Sequence, residues 1–305
     1  MNNNNNVYKP LVKNINEYQG KYFDESWYKY IIDSDNDGYY TDSSGFKRVL
    51  FKFRKEQLSH KLMNLAINSF LNYSKKKHSN RGIASGIPDS RKTARVITKT
   101  GQNEGQYIAS NISGYYDKPL REHLGVLGTS IACRTTAFTL KNKELWEQAL
   151  PFIIRCSRLY KELGGKYYNA QKKHYQTINE SVKIPKTVFT TITSNYNWRT
   201  ACHRDTGDYS SGLGNLVVVG NGFKGGWLGF PEFKVLIKIQ PGDFLLMDVH
   251  QWHCNTSIEI TNEKGFRLSF VMYIRESMAK CKKSRKIGEI DYLINESTES
   301  ANIRV

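Results

Sequence analysis

Apolar positions along this 305-residue chain follow two textures that meet near Thr187. In the first, Leu58, Leu62, Leu65, Ala66 and Phe70 recur every three or four residues and predict a helix over 55–73. Leu145, Ala149, Phe152, Ile153, Cys156, Leu159 and Leu163 form a longer stripe of the same period and predict a helix over 141–163. Gly164-Gly165 stops it, and Pro151, which has no N–H to donate, predicts a kink or a break within it. A more polar helix is expected around 169–178. After Thr187 the pattern changes to short apolar runs divided by turns. The runs are Val188–Thr193, Leu216–Val219, Trp227–Phe230, Phe233–Ile239, Phe244–Asp248 and Phe266–Ile274. Gly220-Asn221-Gly222, Gly225-Gly226 and Gln240-Pro241-Gly242-Asp243 are the turns. The expected fold class is α+β: a jelly-roll core (double-stranded β-helix, cupin-like) with buttressing helices from the N-terminal half.

The ends are of lower complexity. Met1 precedes an Asn run, so residues 1–20 are expected to be disordered. One domain is expected over 21–280, with its helical part at about 50–185 and its jelly roll at about 186–276. A basic and then acidic tail follows over 281–305. Asp33, Asp35, Asp37 and Gly38 imitate the start of a calcium loop, but the twelfth position is Ser44 where a glutamate is required, so this segment is taken as a turn-rich loop. A net charge of +17 and a pI near 9.5 favour a polyanionic partner. Five cysteines, an odd count with no C-x-x-C pair, suggest reduced thiols. No apolar run reaches membrane-spanning length and no signal-peptide core precedes the domain, so a soluble intracellular protein without a membrane partner is expected.

The chemistry concentrates in Ala201–Asp208. His203 and Asp205 are two apart, so on a strand both side chains leave the same face. His250 and His253 follow in Asp248-Val249-His250-Gln251-Trp252-His253. Two imidazoles and a carboxylate are the ligand set of a facial-triad non-haem Fe(II) site. Such a site leaves room for a 2-oxo acid and dioxygen, and the far carboxylate of the acid needs a fixed cation. Arg267 fits that role on a strand, with Ser269 on the same face. His253 is chosen as the distal ligand because it sits where the strand leaves the Pro241–Asp248 run; His250 is then a nearby polar group.

Several stretches carry a resemblance to a known family. Thr190–Asp208, Gly212–Gly220, Gly225-Gly226-Trp227-Leu228 with Pro231-Glu232, and His253-Cys254-Asn255-Thr256 resemble the core of the TET/JBP dioxygenases. Upstream, Arg81–Gly86, Ser110–Tyr115 and Cys133–Thr139 are similar to that family's segments ahead of the barrel. The resemblance implies an Fe(II)- and 2-oxoglutarate-dependent dioxygenase, with dioxygen as co-substrate, that oxidises 5-methyl groups of pyrimidines in duplex DNA after flipping the base. It implies His203, Asp205 and His253 as iron ligands and Arg267 on 2-oxoglutarate. Arg199 becomes a second anchor for co-substrate or phosphate, and Asn111 a base or backbone contact. Asp208 matches the place where the family holds the flipped base; an acceptor there favours 5-methylcytosine over thymine. Thymine in DNA, RNA or a protein side chain are the rival substrates, and a barrel without catalysis is a further alternative. Lys75–Lys77, Arg81, Arg91, Lys92 and Arg95 become candidate phosphate contacts. A monomer acting in the nucleus, or in a virus-infected cytoplasm or nucleoid, completes the expectation.

Overall fold

The computed structural model describes residues 5–78, 81–86, 108–117 and 134–283, so the expectations for Arg91, Lys92, Arg95, Cys133 and the 284–305 tail lie outside the described residues. Its elements are β1 (Asn5–Tyr8), β2 (Tyr30–Ile32), β3 (Asn36–Thr41), β4 (Lys47–Arg54), α1 (His60–Ser74), β5 (Ser110–Tyr116) and β6 (Arg134–Thr135). Three helices follow: α2 (Ala137–Lys141), α3 (Lys143–Gly164) and α4 (Lys166–Gln176). The remaining strands are β7 (Thr191–Tyr196), β8 (Gly214–Asn221), β9 (Phe223–Gly225), β10 (Leu228–Phe230), β11 (Val235–Ile237), β12 (Phe244–Met247), β13 (Cys254–Asn255), β14 (Ile258–Ile260) and β15 (Phe266–Tyr273).

The chain divides into two compact units. The first holds residues 1–111, 194–206 and 213–271. Its larger sheet runs β1-β3-β4-β12-β8-β15, with the Ser194–Tyr196 end of β7 beside β15, and its smaller sheet runs β13-β10-β11-β2. Phe51, Phe53, Val218 and Leu245 from the larger sheet pack with Phe230, Val235 and Ile237 from the smaller one, all essentially buried. Two sheets sharing one apolar layer make the jelly roll that the alternating strands predict. β8 lies between β12 and β15, and its first six residues are all buried, as befits a central strand.

The second unit holds residues 112–193, 207–212 and 272–305. α3 buries Trp146, Ala149, Phe152, Ile153, Cys156, Leu159 and Tyr160 along one stripe. It runs unbroken through Pro151, because that residue sits on the exposed side while the flanking apolar residues keep the helix docked. Tyr160 stacks on Phe189 and donates its hydroxyl to Gln171, whose amide reaches the Val188 carbonyl.

Residues 5–20 correct the expectation of a disordered start. Val7 and Tyr8 have strand-forming side chains, and β1 pairs in parallel with β3. The Tyr8 ring is buried, 5.3 Å from Tyr30 and 6.0 Å from Phe51. The segment taken as a turn-rich loop instead forms β2, β3 and β4. Gly38 belongs in a strand because any Cβ there would meet the Phe51 ring at 2.1 Å. Asp37 is engaged by Arg54 and Lys52, which agrees with its exclusion as a calcium ligand. Cys156, Cys202 and Cys254 are free and buried, whereas Cys281 is disulfide-bonded; an odd total rules out complete pairing but not one bridge.

Candidate metal centre

His203 and His253 exchange both backbone hydrogen bonds at 3.0 Å, so the two segments meet as one closed antiparallel pair. Polar rungs on either side hold this pair. Asn255 N–H donates to the Thr200 carbonyl, the Thr200 hydroxyl donates to the Asn255 side-chain oxygen at 2.5 Å, and Asp205 N–H donates to the Val249 carbonyl. The rings of His203 and His253 are 4.3 Å apart, and each Nε2 approaches a different Asp205 oxygen, at 3.8 and 3.7 Å. Each Nδ1 is committed behind the ring, His203 to the Ala201 carbonyl at 2.7 Å and His253 to the Gln251 carbonyl at 2.9 Å. A carbonyl can only accept, so Nδ1 carries the proton and the Nε2 lone pair faces the carboxylate. Burial, reinforced by the neighbouring His203 ring, pushes the pKa of His253 down to about 4, so that ring is neutral at pH 7. Among the described residues this is the one group of three such side chains whose ligand atoms all lie within 4.8 Å. Two imidazole nitrogens and one carboxylate, converging, fit a divalent iron-type metal.

Arg267 supplies the second half of the site. It lies on β15 with 1% of its surface exposed, and its Nε and Nη2 have no hydrogen-bond partner. Burial pushes its pKa down to about 10, so the guanidinium remains charged. Its backbone is clamped by Asn197, whose side-chain oxygen accepts from Arg267 N–H and whose own N–H donates to the Arg267 carbonyl. A buried unpaired charge costs several kcal/mol, so the pocket is built for an anion. A dicarboxylate such as 2-oxoglutarate offers the bidentate partner that a guanidinium prefers. Gly226, at φ +68°, lets the arginine pass, since a Cβ there would lie 2.5 Å from Nε. The Asn255 amide donates to the Gly226 carbonyl, so one residue braces both the histidine pair and the arginine channel. Neither Asn255 nor Gly226 is singled out for this role by the sequence; both stand only within the stretches that resemble the TET/JBP core, with Gly225-Gly226 also taken as a turn. Ser269 is buried two residues along β15.

Other expected site residues are placed differently. Asn111 is only 2% exposed, and its amide donates to the carbonyls of Ser74 and Lys76 at the end of α1 while its oxygen faces His78 Nε2. It closes a helix terminus, which corrects its reading as a base contact. Asn111→Ala should therefore cost about 2–3 kcal/mol in denaturant unfolding, the magnitude for leaving buried carbonyls unpaired. Unchanged stability in that variant would contradict the helix-closing role. Arg199 donates to the Phe23 carbonyl, the Asp24 carboxylate and the Asn255 carbonyl, and it lies over the Tyr22 ring. It ties the N-terminal segment down, which corrects its reading as a co-substrate anchor. His250 contacts Asp248 at 3.2 Å, stands outside the three-residue group and lines a separate cavity of about 620 Å³ with Arg204 and Trp252. Arg81 opens a short 3-10 turn, and its Nε is buried without a hydrogen-bond partner. Asp208 belongs to the second unit, where it is mostly buried and lies 3.9 Å from Arg275.

Comparison with known proteins matches residues 111–276 to the TET/JBP family model, described as the oxygenase domain of the 2OGFeDO superfamily. Thymine dioxygenase JBP1 of Crithidia fasciculata is 32% identical over 202 residues, covering 65% of this chain and 23% of that protein. The bifunctional helicase and thymine dioxygenase JBP2 of Leishmania tarentolae is 28% identical over 276 residues, covering 84% of this chain and 24% of its own length. The chain thus spans about a quarter of the length of these relatives. Among solved structures, NgTET1 in complex with 5mC DNA aligns with a TM-score of 0.55 at 14% identity, over 91% of this chain and 84% of the other, a likeness of fold.

Proposed function

The chain belongs to the TET/JBP family of 2-oxoglutarate/Fe(II) oxygenases, and on that premise we propose that it oxidises the 5-methyl group of a pyrimidine base in DNA. The observation that carries this reading is the pairing of a His203–Asp205–His253 ligand group with a buried, unpaired Arg267 in one unit. His203, Asp205 and His253 hold the metal through two Nε2 atoms and one carboxylate. Arg267 fixes the far carboxylate of 2-oxoglutarate, and Ser269 lies beside it on the same strand face. Bound together, Fe(II) and 2-oxoglutarate supply the power to hydroxylate an unactivated methyl group with dioxygen. The protein's own share is orientation. Its carbonyls lock both histidine tautomers, and burial of the arginine keeps water from competing for the guanidinium. A methyl group inside duplex DNA cannot reach such a centre, so the base is flipped, and the +17 charge offers phosphate contacts around it, Arg81 among them.

For the base itself, 5-methylcytosine is supported by Asp208. Its carboxyl oxygens, one of them 3.9 Å from Arg275, are hydrogen-bond acceptors, which suits an exocyclic amino group. Thymine is the second reading, supported by the relatives named thymine dioxygenases. Duplexes carrying 5-methylcytosine are incubated with Fe(II), 2-oxoglutarate and ascorbate and then digested to nucleosides for mass spectrometry. The expected product is 5-hydroxymethylcytosine. Appearance of 5-hydroxymethyluracil alone selects thymine, and neither product, with 2-oxoglutarate still consumed, moves the substrate to RNA or protein.

A further inference from the structure

We infer that the tip of the β3–β4 hairpin, with Phe46 at its apex, is a wedge that stacks on the bases of duplex DNA beside the metal centre. This inference rests on the reading of DNA as substrate. The last rung of the hairpin is Thr41 opposite Lys47. Neither flanking strand reaches it: β1 ends with Tyr8 opposite Tyr40, and β12 ends with Met247 opposite Phe51. The overhang points toward the metal ligands. Asp248 N–H donates to the Leu50 carbonyl where β12 leaves the sheet, and the next carbonyl, Val249, accepts from Asp205 N–H. Tyr40 donates its hydroxyl to Asp248 at 2.8 Å, and Gln251, two residues before His253, donates to Tyr40. Phe46 stands four residues beyond Leu50, about 13 Å at strand rise.

The tip is rigid and presents its ring to solvent. The Asp42 carboxylate accepts from Ser44 N–H and Phe46 N–H, and its other oxygen pairs with Arg48 at 2.7 Å. Asp42 and Phe46 also close the backbone, with Gly45 in the left-handed region at φ +82°. On this frame Phe46 is 64% exposed, the highest among the large apolar side chains of the described residues. Lys47 and Arg48 follow it directly, with the Arg48 guanidinium 5.9 Å from the centre of the Phe46 ring and Lys47 over the Tyr39 ring. An apolar ring on a fixed hairpin, followed at once by two cationic residues, suits a base step, where a side chain fills the space left by an extruded nucleotide. A protein partner would more simply be met by a contiguous apolar patch than by one ring among cations.

The test compares Phe46→Ala and Phe46→Trp on a duplex and on a single strand of the same methylated sequence. Phe46→Ala is expected to lower kcat/KM on the duplex about tenfold, within the range of one lost base stack, with single-strand activity unchanged. Phe46→Trp keeps duplex activity, and 2-oxoglutarate consumption without DNA is the same in all three proteins. Unchanged duplex activity in Phe46→Ala, or an equal loss on both substrates, overturns the wedge. If the wild-type protein oxidises no DNA at all, the substrate reading fails separately. Fluorescence anisotropy with an unmodified duplex then decides: about tenfold weaker binding by Phe46→Ala supports the wedge, and an unchanged Kd overturns it.

Discussion

Asp205→Ala is expected to abolish succinate production, by about 1,000-fold or more, equivalent to about 4 kcal/mol of transition-state stabilisation. The carboxylate is the only anionic member of the ligand group, and each of its oxygens faces one imidazole Nε2. Without it, two imidazole rings remain, which bind a divalent metal weakly. The loss should not come from unfolding. Asp205 is partly exposed, its fold contact is a backbone N–H to Val249, and alanine keeps that bond. Thermal unfolding of the metal-free variant should therefore match the wild type closely, while metal-induced stabilisation disappears. His253→Ala should behave like Asp205→Ala, and His250→Ala should retain turnover within a few-fold, because His250 pairs with Asp248 outside the ligand group. Full turnover in Asp205→Ala would remove the triad.

Arg267→Met carries the second large effect, and its sign differs between two measurements. In the ligand-free protein, methionine replaces a fully buried guanidinium whose Nε and Nη2 are unpaired, so unfolding free energy should rise by about 1–3 kcal/mol. Stabilisation by 2-oxoglutarate should vanish in the same variant. Arg267→Lys keeps the charge but loses the fork, and a second charge-assisted hydrogen bond with it. The KM for 2-oxoglutarate should then rise roughly 10- to 100-fold, with a smaller change in kcat. A destabilised Arg267→Met that still gains stability from 2-oxoglutarate would show the arginine to be part of the scaffold and not a ligand clamp.

How far the chain could be understood before folding depends on the range of the interactions involved. The strands after Thr187 and the His203-x-Asp205 spacing are local patterns, fixed by side-chain alternation over a few residues. Arg267 stands out in the sequence because a co-substrate carboxylate would demand a cation on a neighbouring strand. Asn111 and Arg199 were misjudged because a polar side chain gives no local sign of its distant partners, here the end of α1 and the Phe23–Asp24 turn. Gly38 looked like a turn glycine, yet its role is to make room for Phe51, a residue thirteen positions away. The hairpin tip was hidden for the same reason: the Asp-Asn-Asp-Gly run masked the strand that carries it.

The most direct measurement of the central claim is the stoichiometry of coupled turnover, scoring succinate and oxidised nucleoside from one methylated duplex in the same reaction. Equal molar amounts are expected from the wild-type protein and neither product from Asp205→Ala. Succinate formed without any oxidised pyrimidine, or oxidised pyrimidine formed by Asp205→Ala, would contradict it.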